Sequence, residues 1–234
     1  VLVTHRDHKN RPTIFDLPSL NPPEWPASNP RIMNVGRLDV NSEGLLVLSS
    51  DGPLAQAMMS PEMALSRLYR VRVRGQLKPD EIEAIAQGIT IDGVDYRGAE
   101  FVEEYGQNDG RANRWYRCVL TEGKNREVRR VLEHLGLRVS RLIRTSYGPF
   151  GLGDLERGEV AEIDRNQLFM FRQSLAKQGG PKEKSPERGP SAAPSSPRRT
   201  PSSPAAAKRQ HSRLLPAPRI TTLSMAMRSL PSNA

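Results

Sequence analysis

Gly36-Arg37-Leu38-Asp39-Val40-Asn41-Ser42-Glu43-Gly44-Leu45-Leu46-Val47-Leu48-Ser49 passes from polar and acidic residues straight into an unbroken apolar run. Residues 44–49 have the length and composition of a short buried strand, and Asp51-Gly52 is the turn that ends it. Pro53 then stands where a helix begins, with Leu54, Ala57 and Met58 as its apolar face. The segment ahead of the strand fits poorly as a calcium loop. Asp39, Asn41 and Gly44 would fill the first, third and sixth positions, but Glu43 stands at the fifth and Ser50 at the twelfth, where a bidentate Glu is needed. As a plain turn, Asp39 is a loop or cap carboxylate. Phosphate-loop spacing is missing around Gly123-Lys124, and residues 148–153 lack the last glycine of a dinucleotide fingerprint.

Working outward, residues 1–4 read as a strand, 5–11 as a polar loop and 17–30, with five prolines, as an extended surface loop. Residues 69–75 alternate strictly. Tyr69, Val71 and Val73 share one face and Arg70, Arg72 and Arg74 the other, which predicts a half-buried strand with a cationic outer side. Residues 79–88 start with Pro and acids and end in Gly, a well-marked helix. Residues 89–121 read as several short strands with turns at Asp92-Gly93 and at 108–110. Residues 125–135 form a helix stopped by Gly136, with Val128, Val131, Leu132 and Leu135 as its apolar stripe, and 139–143 are a further strand. Strands outnumber helices and hairpin-length turns join many of them. The expected class is α+β, with a mainly antiparallel mixed sheet flanked by helices.

The 234 residues hold 35 Lys+Arg and 26 Asp+Glu, a net charge of +9, but the charge is unevenly placed. Residues 1–175 carry 24 of each sign, so the tail at 176–234, with 11 basic and 2 acidic residues, holds the entire excess. That tail also has 10 Pro, 10 Ser and no aromatic residue; its composition predicts a disordered basic arm. Residues 1–175 are the expected folded domain. Within it, 80–109 net −8 and 111–144 net +7, a bipolar surface suited to a polyanion such as nucleic acid. One cysteine, Cys118, excludes an intramolecular disulfide framework and a thiolate zinc cage. Four scattered histidines offer no metal-ligand spacing. Neither a signal peptide nor a membrane-spanning run is visible, so a soluble, cytoplasmic chain is expected, without metal or membrane partner.

Four blocks, in order, resemble the RNA pseudouridine synthases of the small ribosomal subgroup. They are Gly36-Arg-Leu-Asp39 with Ser42 and Gly44-Leu-Leu46, Arg67-Leu-Tyr69-Arg-Val71, Leu120-Thr-Glu-Gly-Lys-Asn-Arg-Glu-Val-Arg-Arg130, and Leu142-Ile-Arg-Thr-Ser-Tyr-Gly148. The resemblance covers residues 1–175. Members of this subgroup carry an N-terminal RNA-binding module and a Lys-Pro-x-Gly stretch ahead of the position of Val1. Neither precedes Val1 here, so the domain is expected to start truncated.

The resemblance implies isomerisation of a uridine in ribosomal RNA, large-subunit RNA or its assembly intermediate, by a monomer needing no cofactor. Small-subunit RNA as substrate, or a non-catalytic RNA-binding or assembly role, are the alternatives. Asp39 becomes the catalytic carboxylate, as nucleophile or as base. Burial disfavours an ionised carboxylate, and a neighbouring guanidinium offsets this. On the 125–135 helix Arg129 lies at the edge of the buried stripe and is placed to pair with Asp39, whereas Arg126 and Arg130 lie further round and face RNA phosphate. Tyr69 is expected to stack on the target base and Leu142 to wall the pocket. Arg37 is expected to steer phosphate or hold the extruded nucleotide. Lys124 and Asn125 join the RNA-binding set.

Overall fold

The computed structural model describes residues 4, 12–17, 20, 31–104, 113–179 and 220–225. Eleven strands, β1 (Met33–Val35), β2 (Glu43–Ser49), β3 (Arg67–Arg74), β4 (Ile89–Ile91), β5 (Val94–Tyr96), β6 (Glu100–Glu103), β7 (Asn113–Leu120), β8 (Arg138–Tyr147), β9 (Phe150–Gly151), β10 (Val160–Glu162) and β11 (Ile220–Met225), alternate with four helices. These are α1 (Gly52–Met59), α2 (Pro79–Gln87), α3 (Glu127–His134) and α4 (Arg165–Lys177). Nine strands form one sheet in the order β10-β11-β2-β8-β3-β7-β6, with β1 on β2 and β9 on β8; β4 and β5 form a separate hairpin. Every pairing is antiparallel except β2 with β8, which meet at Glu43↔Ile143 and Gly44↔Arg144. The class is α+β.

The apolar run at 44–49 forms β2 because both its faces are covered. Leu45 and Val47 join Leu54, Met58, Tyr147 and Phe171 in one core, while Leu46 and Leu48 join Ile14, Leu20 and Leu38 in another. A third core lies between the inner face of β3, β7 and β8 and helices α2 and α3, around Val71, Val73, Tyr116, Leu142, Ile85, Val128 and Leu132. In α1 the Asp51 carboxylate accepts from the Leu54 N–H at 3.0 Å, an N-cap. The side chains it buries are Leu54, Ala55 and Met58, so Ala55 replaces the expected Ala57. Asp92 and Gly93, at φ of +51° and +74°, make the expected hairpin turn.

Several boundaries differ from the sequence reading; β3, read from Tyr69, begins at Arg67. The helix read from residue 125 begins at Glu127, because Arg126 adopts a left-handed φ of +53° and serves as its N-cap residue. The strand read as 139–143 runs through to Tyr147. Within 89–121, β7 is eight residues long, not short. Two described elements fall within the residues read as tail: α4 continues to Lys177, and β11 lies between β2 and β10. Averaged over 59 residues, the tail composition hides the β-branched Ile220-Thr-Thr-Leu segment. Residues 180–219 and 226–234 of the tail, the strand and loop read at 1–11 apart from Thr4, the turn at 108–110 and most of the 17–30 loop lie outside the described residues. No helix among the described residues is long and apolar enough to cross a membrane.

Candidate active site

The loop between β1 and β2 is shaped by two local devices. Asn34 donates through Nδ2 to the Gly36 carbonyl at 2.5 Å, and the Ser42 N–H closes a turn on the Asp39 carbonyl at 2.8 Å. Gly36 sits at φ +72°, and Gly44, where the loop becomes strand, at φ +103°. A Cβ on Gly44 would lie 2.1 Å from the Arg144 carbonyl oxygen, so only glycine lets β2 run this close beside β8.

This loop presents Asp39 to a cavity of about 670 Å³. Arg37, Asp39, Tyr69, Leu142, Lys124, Asn125 and Arg126, seven of the nine residues singled out in the sequence, line it. Arg129 and Arg130 do not. Arg130 is exposed and donates to the Tyr96 hydroxyl at 3.4 Å. Arg129 lies buried behind the wall, where its Nη2 donates to the Asn41 carbonyl at 2.5 Å and its Nη1 to the Val139 carbonyl at 3.3 Å. Burial, and next the Arg126 guanidinium, pull the Arg129 pKa down, while the Asp39 and Glu133 carboxylates push it up. The expected pairing of Arg129 with Asp39 is therefore an attraction through space; the hydrogen bond goes to the backbone of the same loop. Arg126, half-buried, points its guanidinium to Glu133 at 3.4 Å.

Tyr69 reaches the cavity from β3 by alternation, and Leu142 from β8, where an irregularity between Val139 and Arg141 sets Val139 and Leu142 on the inner face together. Burial raises the Tyr69 pKa, while Arg144 and Arg67 act to lower it. Neither arginine was singled out in the sequence, yet both line the cavity. Arg144, 2% exposed, donates through Nε to the Leu45 carbonyl at 2.8 Å and through Nη1 to the Arg37 carbonyl at 3.5 Å. It thereby joins both ends of the Asp39 loop to the strand bearing Leu142. Alternation from Leu142 places Arg144 inward too, two residues on, and that signal was available. Arg67 donates through Nη1 to the Thr121 and Glu122 carbonyls, both at 3.2 Å, and through Nη2 to the Tyr147 hydroxyl at 3.1 Å. It braces the loop that carries Lys124 and Asn125.

That loop rests on two buried carboxylates, also unmarked in the sequence. Glu122 accepts from the Arg97 N–H at 2.6 Å and from Lys124 Nζ at 2.7 Å; Glu127 accepts from the Lys124 N–H at 2.9 Å. Burial pushes the Glu127 carboxyl up to about 7; the Lys124 N–H opposes this and the Glu122 carboxylate adds to it. Glu122, whose own burial works against ionisation, is nevertheless held below its ordinary value by Lys124 and the Arg97 N–H. Lys124 Nζ also bonds the Asp95 carbonyl and lies 5.5 Å from the Tyr96 ring centroid. Its ammonium serves the loop before any ligand.

The cavity thus joins one half-buried carboxylate to an aromatic ring, an apolar wall and a rim of cations. Comparison with known proteins agrees with that chemistry. Residues 3–134 match the family model for RNA pseudouridylate synthase. The ribosomal large subunit pseudouridine synthase B of Yersinia pestis is 42% identical over 181 residues, covering 74% of this chain and 52% of the relative. An uncharacterized RNA pseudouridine synthase of Rickettsia bellii is 38% identical over 165 residues, 70% of this chain and 67% of that one. The chain spans about half the length of the synthase B relative. A crystal structure of a pseudouridylate synthase, 24% identical, superposes with a TM-score of 0.58 over 76% of this chain and 69% of that one, and so shares the fold. From the family match and these identities, the chain belongs to the RNA pseudouridylate synthase family.

Proposed function

We propose that this chain isomerises a uridine of ribosomal RNA to pseudouridine, with large-subunit RNA or its assembly intermediate as substrate, acting as a cytoplasmic monomer. The observation that carries this reading is the convergence of Asp39, Tyr69 and Leu142 on one cavity with a cationic rim. The names of the synthase B relatives support the choice of large-subunit RNA.

The target nucleotide leaves its stack at a cost of a few kcal/mol and enters the cavity. Tyr69 stacks on the uracil and Leu142 walls it. Asp39 stands at the sugar–base junction, where it attacks the ribose C1′ as a nucleophile or removes a ribose proton as a base. The C1′–N1 bond breaks, the base turns, and a C1′–C5 bond forms; C5 gives up its proton and N1 gains one. Atoms and charge balance without an oxidant, reductant or cofactor. Arg37, Lys124, Asn125 and Arg126 hold the flanking phosphates at the rim. Arg129 and Arg144 act through the loop, fixing where Asp39 stands.

The test is incubation of large-subunit ribosomal RNA from a strain lacking the gene with the purified chain, followed by mapping of pseudouridine. One new position is expected. Absence of any new position, with small-subunit RNA equally unmodified, would overturn the reading.

A further inference from the structure

The inner face of β3, β7 and β8 serves the cavity and its core; the outer face carries arginines. Side chains opposite each other in paired strands lie on one face, and the register sets Arg70 against Arg117, Arg72 against Arg141 and Arg74 against Arg138. Three like-charge pairs therefore stand side by side across three strands. Arg74, Arg117, Arg138 and Arg141 are exposed, and Arg70 and Arg72 half-buried. Carboxylates meet this face from its flanks: Glu104 grips Arg70 at 2.7 Å and Glu43 grips Arg141 at 2.8 Å. Glu100, on β6, is the remaining acid on this face among the described residues. The Arg70 guanidinium also lies over the Trp115 ring, 4.8 Å from its centroid. Helices α2 and α3 pack on the inner side.

Direct like-charge neighbours cost stability, and residues 1–175 as a whole are electrically neutral. The concentration on this face is thus not a by-product of a basic domain. Arginine forks suit phosphate oxygens, and their planes stack on bases. A flat cationic sheet with few apolar anchors fits a structured polyanion better than a protein hot spot. Resting on the reading that the substrate is RNA, we infer that the outer face of β3, β7 and β8 is a second RNA-docking surface, which takes the phosphates of a structured RNA segment while the cavity holds the target nucleotide.

The test compares the full chain with the triple variant Arg72→Gln/Arg117→Gln/Arg138→Gln, which removes one member of each like-charge pair and keeps the Arg70–Glu104 and Arg141–Glu43 ion pairs. A charge-matched control, Arg157→Gln/Arg165→Gln/Lys177→Gln, alters exposed cations elsewhere. Binding is measured across a salt series to a large-subunit ribosomal RNA transcript. A second probe is a single-stranded oligoribonucleotide of about ten nucleotides, long enough to fill the cavity alone. Thermal unfolding checks that each variant folds. The face variant should lose about tenfold or more in transcript affinity, with a salt slope shallower by about three, one per phosphate contact. The control should lose less, and the oligonucleotide should bind both alike. Parallel salt slopes, equal loss by both triples, or equal loss on the short probe would overturn the inference. So would unchanged RNA affinity with lost binding to ribosomal particles, which would give the face to a protein. No turnover is read, so failure here is distinguishable from failure of the isomerase reading.

Discussion

Arg129 donates to the carbonyl of Asn41 at 2.5 Å, two residues beyond Asp39 and inside the turn that Ser42 closes. The guanidinium therefore sets the position of the carboxylate through its backbone. Replacement by Met leaves the buried Val139 carbonyl and the part-buried Asn41 carbonyl without this donor. A loss of about 1–3 kcal/mol is expected, and activity should fall further than in Arg126→Met or Arg130→Met, whose side chains are half-buried and exposed. Single-turnover rates and chemical denaturation of the three variants measure both effects. Greater damage from Arg130→Met would move the supporting role elsewhere.

Glu127 makes stability depend on pH. Its carboxyl, raised by burial from the ordinary 4.5 to about 7, stays protonated in the folded state over a range where the unfolded chain has released that proton. The folded state binds more protons between those values. Its stabilising effect is fully present below 4.5 and is lost as pH rises through about 7. Urea denaturation from pH 5 to 8 should show a decline of roughly 1–3 kcal/mol from this group. Glu127→Gln keeps an oxygen for the Lys124 N–H and should flatten the decline. Identical pH profiles for parent and variant would remove Glu127 from the account.

Gly44→Ala tests the docking of the loop on β8. A methyl group at φ +103°, 2.1 Å from the Arg144 carbonyl oxygen and 2.7 Å from its nitrogen, meets backbone that can yield only if β2 and β8 part. A loss of about 2–4 kcal/mol and of most turnover is expected. A melting temperature within a degree of the parent would show that the close approach is not needed.

The outer arginines carry a stability cost that mutation should relieve. Arg117→Thr removes the like charge opposite Arg70 and puts a β-branched residue in an exposed strand position. The free protein should gain about 0.2–1 kcal/mol, read by thermal unfolding at low salt. A loss of stability would mean that Arg117 is held by contacts other than repulsion.

Periodicity revealed what is local. The double-covered β2, the alternating β3, the capped α2 and the Asp92-Gly93 hairpin follow from residue spacing, and alternation alone sends Tyr69 inward; Leu142 was legible only through the family resemblance, because the irregularity that sets it on the same face as Val139 leaves no mark in the spacing. Contacts between distant segments leave no such trace. The α3 stripe predicted a buried face, but the left-handed Arg126 that starts the helix late is a loop decision. Glu127, Arg67 and Arg144 are charged residues in amphipathic elements, and their burial depends on carbonyls, a hydroxyl and a backbone N–H supplied from 2 to 107 positions away. β11 was hidden because a tail-wide average of Pro, Ser and Arg outweighs six strand-forming residues.

Asp39→Asn tests the central claim most directly. The change is nearly isosteric and keeps the turn, so the variant should fold and bind ribosomal RNA as the parent does. It lacks the charge that serves as nucleophile or base. The measurement is the single-turnover rate of pseudouridine formation on large-subunit ribosomal RNA at saturating enzyme, beside RNA affinity for the same preparation. The account predicts parental affinity with no detectable pseudouridine; turnover at a tenth of the parent rate or better would contradict it.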